Sequence, residues 1–159
     1  MLTNYTATKR KGAAAVEAKE FLEQFGRYDT FIKNKKEELK RLEDEATNTT
    51  SHLTPDKVQT SGSKQKMAEA VEMCIDLKNQ IIEYIKLREK ARADITQVIE
   101  TLSTERYDVL HKHYIQLKSI QEIAIIYDRT DNRIYQIRDK AIKDVQKRLS
   151  EEKIVPNLN

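Results

Sequence analysis

The chain has 159 residues, of which 35% are charged and 38% hydrophobic, with three Gly, two Pro and no Trp. So few helix breakers favour long helices and argue against a β-sandwich or β-barrel, which need many turns. The 29 basic and 26 acidic residues give a net charge of +3. That charge is too small to identify a nucleic-acid-binding protein unless the basic residues are concentrated in one segment.

Cysteine usage and the first residues indicate the compartment. Cys74 is the single cysteine and cannot form an intrachain disulfide, which suits a reducing environment. Residues 1–12 lack the apolar core of a signal peptide, and no stretch approaches the roughly 18 apolar residues of a membrane helix. We therefore expect a soluble cytoplasmic protein without a membrane partner, with 1–12 as a flexible N-terminus.

The first predicted element is a long helix. Mostly apolar residues recur with alternating spacings of four and three: Ala14, Ala18, Phe21, Phe25, Tyr28, Ile32, Lys35, Leu39, Leu42 and Ala46. This spacing keeps one stripe of side chains facing a partner helix, as in the seam of a coiled coil. Residues 47–63 then interrupt the repeat with Thr, Asn, Ser, Pro and Gly, which are typical of a loop.

The repeat returns after this loop and predicts a second long helix. Its seam consists of Met67, Ala70, Cys74, Leu77, Ile81, Tyr84, Arg88, Ala91, Ile95, Val98 and Leu102. We predict an antiparallel, coiled-coil-like helical hairpin over 13–102. Val71, Ile75, Ile82 and Ile85 widen the apolar stripe of the second helix. Apolar surface left over after hairpin closure predicts a homo-oligomer formed through the hairpin.

Two basic residues interrupt the seams of the hairpin. Lys35 and Arg88 are expected to pack their aliphatic stems and keep their charges in water. A turn centred near Pro55 places Arg88 opposite Glu20 and Glu23, and Lys35 opposite Glu72 and Asp76, which supports this interpretation.

Short helices follow the hairpin. Ser103 is a candidate N-cap for a helix that ends near Ile115, and residues 116–118 form a predicted turn. Ser119 and Glu122 have the spacing of a capping box, which begins the next short helix. Residues 128–129 break this helix, and Thr130 is a candidate hydroxyl cap for the last one.

The last helix has an apolar and a polar face. We expect Ile134, Ile137, Ala141, Ile142, Val145 and Leu149 inward, and Asn132, Arg133, Tyr135, Gln136, Arg138 and Lys140 outward. Between 131 and 149 the sequence has six basic and three acidic residues. A short helix, a short turn and a longer basic helix are typical of a helix-turn-helix. We assign this module to 103–150, followed by a tail at 151–159.

Three segments of this module also carry a family resemblance. They are LSTERYDVLHKHY at 102–114, SIQEIA at 119–124 and TDNRIYQI at 130–137, followed by Ala141 and Ile142. Together they resemble region four of bacterial sigma factors. The whole chain is similar to small regulators of Gram-positive phages and prophages, including RinA-like and ArpU-like late-gene activators. The resemblance implies an all-α protein of a bacterial host cell that regulates transcription.

The resemblance assigns roles to individual residues. Arg133 and Gln136 match positions that face the major groove, and Thr130 matches the cap that lies near a phosphate. The family usually has Gly where this chain has Asp128, and Asp tolerates the left-handed conformation that such a turn needs. Asp131 is a second departure, because a carboxylate at that position faces phosphate or requires a cytosine donor.

The predicted DNA-contacting residues are Thr130, Asn132, Arg133, Tyr135, Gln136, Arg138, Lys140 and Lys143. Arg can bond guanine and Gln can bond adenine in the major groove. Lys140 and Lys143, with Lys147 and Arg148, either bind phosphate or serve only as solubilising charge. Tyr135 either contacts DNA or packs on a neighbouring helix. Double-stranded DNA is therefore the predicted partner, with RNA polymerase as a second candidate.

Catalysis and metal binding are not expected. The acidic residues follow solvent-facing helix positions, and no catalytic constellation is apparent. His111 and His113 are two residues apart on a predicted helix and point to different faces, whereas zinc needs three or four converging ligands. Cys74 lies in an apolar seam that disfavours the thiolate. We expect no enzyme, cofactor or metal site. The alternatives to a DNA-binding regulator are an interaction adaptor and a purely structural coiled coil.

Overall fold

The computed structural model describes residues 17–51 and 61–152. These residues form α1 (Ala18–Ser51), α2 (Ser61–Ile99), α3 (Thr104–Leu110), a π-helical turn (His111–Ile115), α4 (Ile120–Tyr127) and α5 (Asp131–Glu152). The described ranges contain no strand, and the predicted all-α class is confirmed. The predicted flexible N-terminus at 1–12 lies outside the described residues, as do residues 52–60 and 153–159.

The chain divides into two compact units. The first, here the helical-pair unit, spans 23–96, and the second, the C-terminal unit, combines the first turn of α1 with the residues from 97 onward. The predicted domain boundary at 102–103 differs from this division. Within the C-terminal unit, the backbone N–H of Ala18 donates a hydrogen bond to Oε1 of Gln146 at 2.8 Å. This bond satisfies a donor at the start of α1 that has no partner within the helix.

The helical-pair unit consists of most of α1 and α2, which lie in antiparallel contact. Polar contacts join Asp29 to Arg88 at 3.1 Å, Lys35 to Gln80 at 2.6 Å and Glu43 to Lys78 at 2.9 Å. As the residue number increases along α1, that of its partner on α2 decreases, so the two helices run antiparallel. The predicted seam residues Phe25, Ile32, Leu77, Ile81, Ala91 and Ile95 are buried. Met67, also predicted for the seam, is instead 56% exposed.

The predicted placements of Arg88 opposite Glu20 and Glu23, and of Lys35 opposite Glu72 and Asp76, are both wrong. Lys35 bonds Gln80 instead. Nη1 of Arg88 binds Oδ1 of Asp29 at 3.1 Å, and its guanidinium lies 5.9 Å from the centre of the Phe25 ring. In each contact between α1 and α2 the mean of the two residue numbers exceeds 55. Each α2 residue therefore pairs further along α1 than a turn centred at Pro55 predicts. Arg88 therefore packs against an aromatic ring and meets an acid, but not the acids expected.

Both α1 and α2 extend into the segment that the sequence predicts as a loop at 47–63. The backbone stays helical through Ser51 and is again helical from Ser61. At Thr47 the hydroxyl donates to the carbonyl of Glu43 at 2.8 Å. A Thr side chain that bonds the carbonyl four residues earlier remains compatible with a helix. Composition alone therefore placed the end of α1 too early.

Asp29 should make the helical-pair unit sensitive to acid. Nζ of Lys33 lies 2.9 Å from Oδ2 of Asp29 and holds the pKa of this carboxyl below its usual value. Arg88 lowers the pKa further, whereas burial raises it. A pKa lowered by folding stabilises the chain above the unfolded value and loses that contribution as pH falls through the folded value. Asp29→Asn should therefore cost about 0.5–1 kcal/mol at pH 7. Urea unfolding should show this difference disappearing as the pH falls below about 4.

Asp44→Asn provides the matched control for this prediction, because Asp44 is an exposed acid on the same helix. Its effect on unfolding should be small at every pH. A cost for Asp29→Asn that persisted unchanged at low pH would show that the carboxylate charge is not what stabilises the pair.

The C-terminal unit has its own apolar core. Val109 of α3, Ile120, Ile123 and Ala124 of α4, and Ile134 and Ile137 of α5 form a buried cluster against which Tyr127 packs. On α5 the predicted inward residues Ala141 and Val145 are also buried, and Ile142 and Leu149 are half-buried. The 3.6-residue period of α5 thus explains which of its faces is buried.

Candidate nucleic-acid interface

The start of α4 is fixed by a capping box, as predicted. The backbone N–H of Glu122 donates to Oγ of Ser119 at 3.2 Å, and the backbone N–H of Ser119 donates to Oε2 of Glu122 at 2.7 Å. These bonds from Ser119 hold the pKa of the Glu122 carboxyl below its usual value. The acid therefore stays ionised near neutral pH and keeps accepting the N-terminal bond that begins α4.

A left-handed residue joins α4 to α5. Asp128 has φ 49° and ψ 50°, and the next N–H, that of Arg129, donates to the carbonyl of Ala124 at 2.9 Å. Two residues later, Oγ1 of Thr130 accepts a hydrogen bond from the backbone N–H of Arg133 at 3.3 Å. The predicted left-handed Asp128 and the predicted hydroxyl cap at Thr130 are both confirmed. This turn sets the direction in which α5 leaves α4.

Glycine at this turn should stabilise the protein. The left-handed conformation costs an L-residue energy that Gly does not pay, so Asp128→Gly should add about 0.5–1 kcal/mol to the free energy of unfolding. Chemical denaturation would measure the gain. Arg129→Gly is the control, because Arg129 does not have a positive φ and Gly there adds only chain entropy to the unfolded state. Equal changes in the two variants would contradict strain at Asp128.

The exposed side of α5 carries most of the predicted contact residues. Asn132, Arg133, Tyr135, Gln136, Lys140 and Lys143 are exposed. Among them, Arg133, Gln136, Lys140 and Lys143 are spaced alternately by three and four, and Lys147 continues the series. Such spacing places all five on one side of the helix. We call this row of five residues the basic stripe.

The acids of α5 are engaged mainly with arginines outside the basic stripe. Asp139 binds Arg138 at 2.8 Å, and Asp144 binds Arg106 of α3. Within the described residues, Lys140 and Lys143 have no ion pair, and the side-chain amide of Gln136 has no hydrogen bond. Positive charge in the middle of the stripe is therefore not neutralised by the acids on the same helix.

Arg138 and Tyr135 are less available to a ligand than the residues of the basic stripe, because they contact each other. The guanidinium of Arg138 bonds Asp139 through Nε at 3.0 Å and Nη2 at 2.8 Å, and lies 4.9 Å from the centre of the Tyr135 ring. Its side chain is 24% exposed. The two residues thus pack on each other along α5. A contact of Arg138 with a ligand would require it to leave both partners.

Glu105 is a site neighbour that sequence reasoning missed. Its Oε1 lies 3.8 Å from Nη2 of Arg133, and both side chains are exposed. The two residues belong to the first turns of α3 and α5, and nothing in their local sequence marks the pairing. Only the packing of α3 on α5 brings them together, as it does for Arg106 and Asp144.

His111 and His113 occupy separate environments. The ring of His111 stacks on that of Tyr107, with centroids 5.5 Å apart. Nδ1 of His113 lies 2.8 Å from the carbonyl oxygen of Lys118, so Nδ1 carries the proton and donates it.

Among the residues that the structure describes, no three His, Cys, Asp or Glu side chains converge to hold a metal ion. In the same residues, no helix is sufficiently long and apolar to span a membrane.

Comparison with known proteins adds no assignment. No protein-family model, curated protein or solved structure matches this chain.

Proposed function

We propose that the protein is a sequence-specific, double-stranded DNA-binding transcription regulator of a phage or prophage, acting in the cytoplasm of a bacterial host. In this proposal α4 and α5 form a helix-turn-helix, and α5 reads a promoter or operator. The observation that carries the proposal is the basic stripe, in which Gln136, Lys140 and Lys143 have no polar partner among the described residues. Exposed side chains without partners are available to bases and phosphates.

The stripe combines two kinds of chemistry in chain order. Arg133 and Gln136, in the first turns of α5, can bond guanine and adenine edges respectively. Lys140, Lys143 and Lys147 follow toward the C-terminus and offer point charges suited to phosphate. A helix of 22 residues is about 33 Å long, whereas the major groove is about 12 Å wide. The C-terminal part of α5 would therefore meet the DNA backbone rather than the bases.

Self-association belongs to the same proposal. A single module makes few base contacts and gains specificity when a second copy binds a second half-site. On α2, Met67, Val71, Ile75 and Ile82 each expose about half of their surface, from 50% to 56%. A homo-oligomer through the helical hairpin would cover these side chains, and RNA polymerase is a second candidate partner of this proposal.

A protein-interaction adaptor is the alternative function. Ile125 and Ile126 of α4 are 81% and 51% exposed. Adjacent exposed isoleucines favour contact with another protein rather than with DNA. In this alternative the C-terminal unit binds RNA polymerase or a phage component and does not read DNA.

Selection of bound fragments from a random duplex pool distinguishes the two functions. The full chain should recover one DNA motif, and the double variant Arg133→Ala/Gln136→Ala should lose the preference for it. The control Ile125→Ser/Ile126→Ser leaves the basic stripe intact and should still select the motif. Recovery of no DNA motif by the full chain would favour the adaptor, which does not read DNA.

A further inference from the structure

The arginines of the C-terminal unit differ in how firmly carboxylates hold them. Arg138 is held by Asp139 at 2.8 Å, and Arg106 is held by Asp144. Arg133 instead has Glu105 at 3.8 Å, which is within ion-pair distance but too long for a hydrogen bond. Of these three arginines, Arg133 can therefore leave its acid at the lowest cost.

Glu105 also adds a negative charge beside the N-terminal end of the basic stripe. Its carboxylate is exposed and belongs to α3, so it stays in place when the side chain of Arg133 moves. A duplex that approaches Arg133 meets this charge with its phosphates, and like charges repel at this range. Repulsion from phosphates elsewhere in the duplex is the same for every sequence, so any difference between sequences must arise at Arg133 itself.

We propose that Glu105 is a specificity-determining residue that acts through Arg133, an inference that rests on the proposed DNA-binding function. The carboxylate of Glu105 attracts the guanidinium and competes with DNA phosphates for it. A guanine edge in the major groove offers the guanidinium two acceptors, N7 and O6, and so replaces the lost contact. In a random sequence the guanidinium meets a phosphate instead. The phosphate is a poorer replacement for Glu105 because its negative charge is repelled by the Glu105 carboxylate, whereas the guanine edge is neutral. Glu105 thereby weakens random binding more than cognate binding, which is a penalty against wrong sites.

The experiment compares the affinities for random duplex and for the duplex that the parent chain selects. Glu105→Gln keeps the shape of the side chain and removes its charge. Its affinity for random duplex should rise about two- to fivefold, the range expected for an exposed ion pair. Its affinity for the selected duplex should rise less. The ratio of the affinity for the selected duplex to the affinity for random duplex should therefore fall. Glu100→Gln is the matched control, because it removes the same charge from an exposed site in the same unit and should leave the ratio unchanged.

A double-mutant cycle tests whether Glu105 acts through Arg133. In the Arg133→Ala background, Glu105→Gln should no longer change the ratio. An unchanged or higher ratio in the single variant, or the same fall in both backgrounds, overturns the inference while DNA binding by the parent stands. A parent chain that binds neither duplex overturns the proposed function itself, and the inference with it.

Discussion

Ile123→Ala should destabilise the C-terminal unit by about 2–5 kcal/mol, the usual cost of removing a large buried aliphatic side chain. Ile123 is completely buried in the cluster where α3, α4 and α5 meet. The substitution removes three carbon atoms and leaves a cavity among Val109, Ile134 and the neighbouring side chains. Because native domains are only marginally stable, this loss is a large share of the total. Thermal unfolding followed by circular dichroism would measure it.

The chain provides a close control two residues away. Ile125 lies on the same helix and is 81% exposed, so Ile125→Ala should change stability by less than about 0.5 kcal/mol. The pair compares the same substitution on two faces of α4. Equal effects of Ile123→Ala and Ile125→Ala would show that α4 does not pack as described. The packing of α4 could then not be what orients α5.

Local patterns in the sequence were sufficient to predict much of this unit. The capping box at Ser119 depends on residues three apart, and the hydroxyl cap at Thr130 likewise bonds a backbone N–H three residues on. The buried face of α5 follows from the helical period, with Ile134 and Ile137 inward as expected. Such features were predictable because each depends on neighbours within one or two turns.

Contacts between elements were less predictable. The partner of Arg88 depends on how α1 and α2 are aligned along each other, and a small shift of that alignment replaced Glu23 by Asp29. Glu105 reaches Arg133 only through the packing of α3 against α5. No periodicity encodes that crossing, because helix packing depends on side-chain shapes at the contact. The engagement of Arg138 by Asp139 and Tyr135 was also missed, since outward spacing on a helix does not reveal which neighbours a long side chain binds.

Arg133→Ala and Lys143→Ala should weaken DNA binding in two different ways. If Arg133 bonds a guanine, its loss should cost about 1–3 kcal/mol on the selected duplex and relax the preference at one base pair. Random duplex should lose much less, because it offers no matched acceptor pair. Lys143 lies nearly three turns further along the basic stripe than Arg133 and has no ion pair among the described residues. A phosphate contact there contributes equally to every sequence, so Lys143→Ala should weaken both duplexes alike.

Salt titration separates these two effects. Each phosphate contact releases counterions, so the logarithm of the affinity falls linearly with the logarithm of salt concentration. Lys143→Ala should reduce the slope by about one unit. Lys90→Ala removes the same charge from an exposed lysine of α2, outside the C-terminal unit, and should leave the slope unchanged. If Arg133→Ala bound selected and random duplexes as the parent does, α5 would not read bases through its first turns. The exposed isoleucines of α4 would then be the stronger indication of what the protein binds.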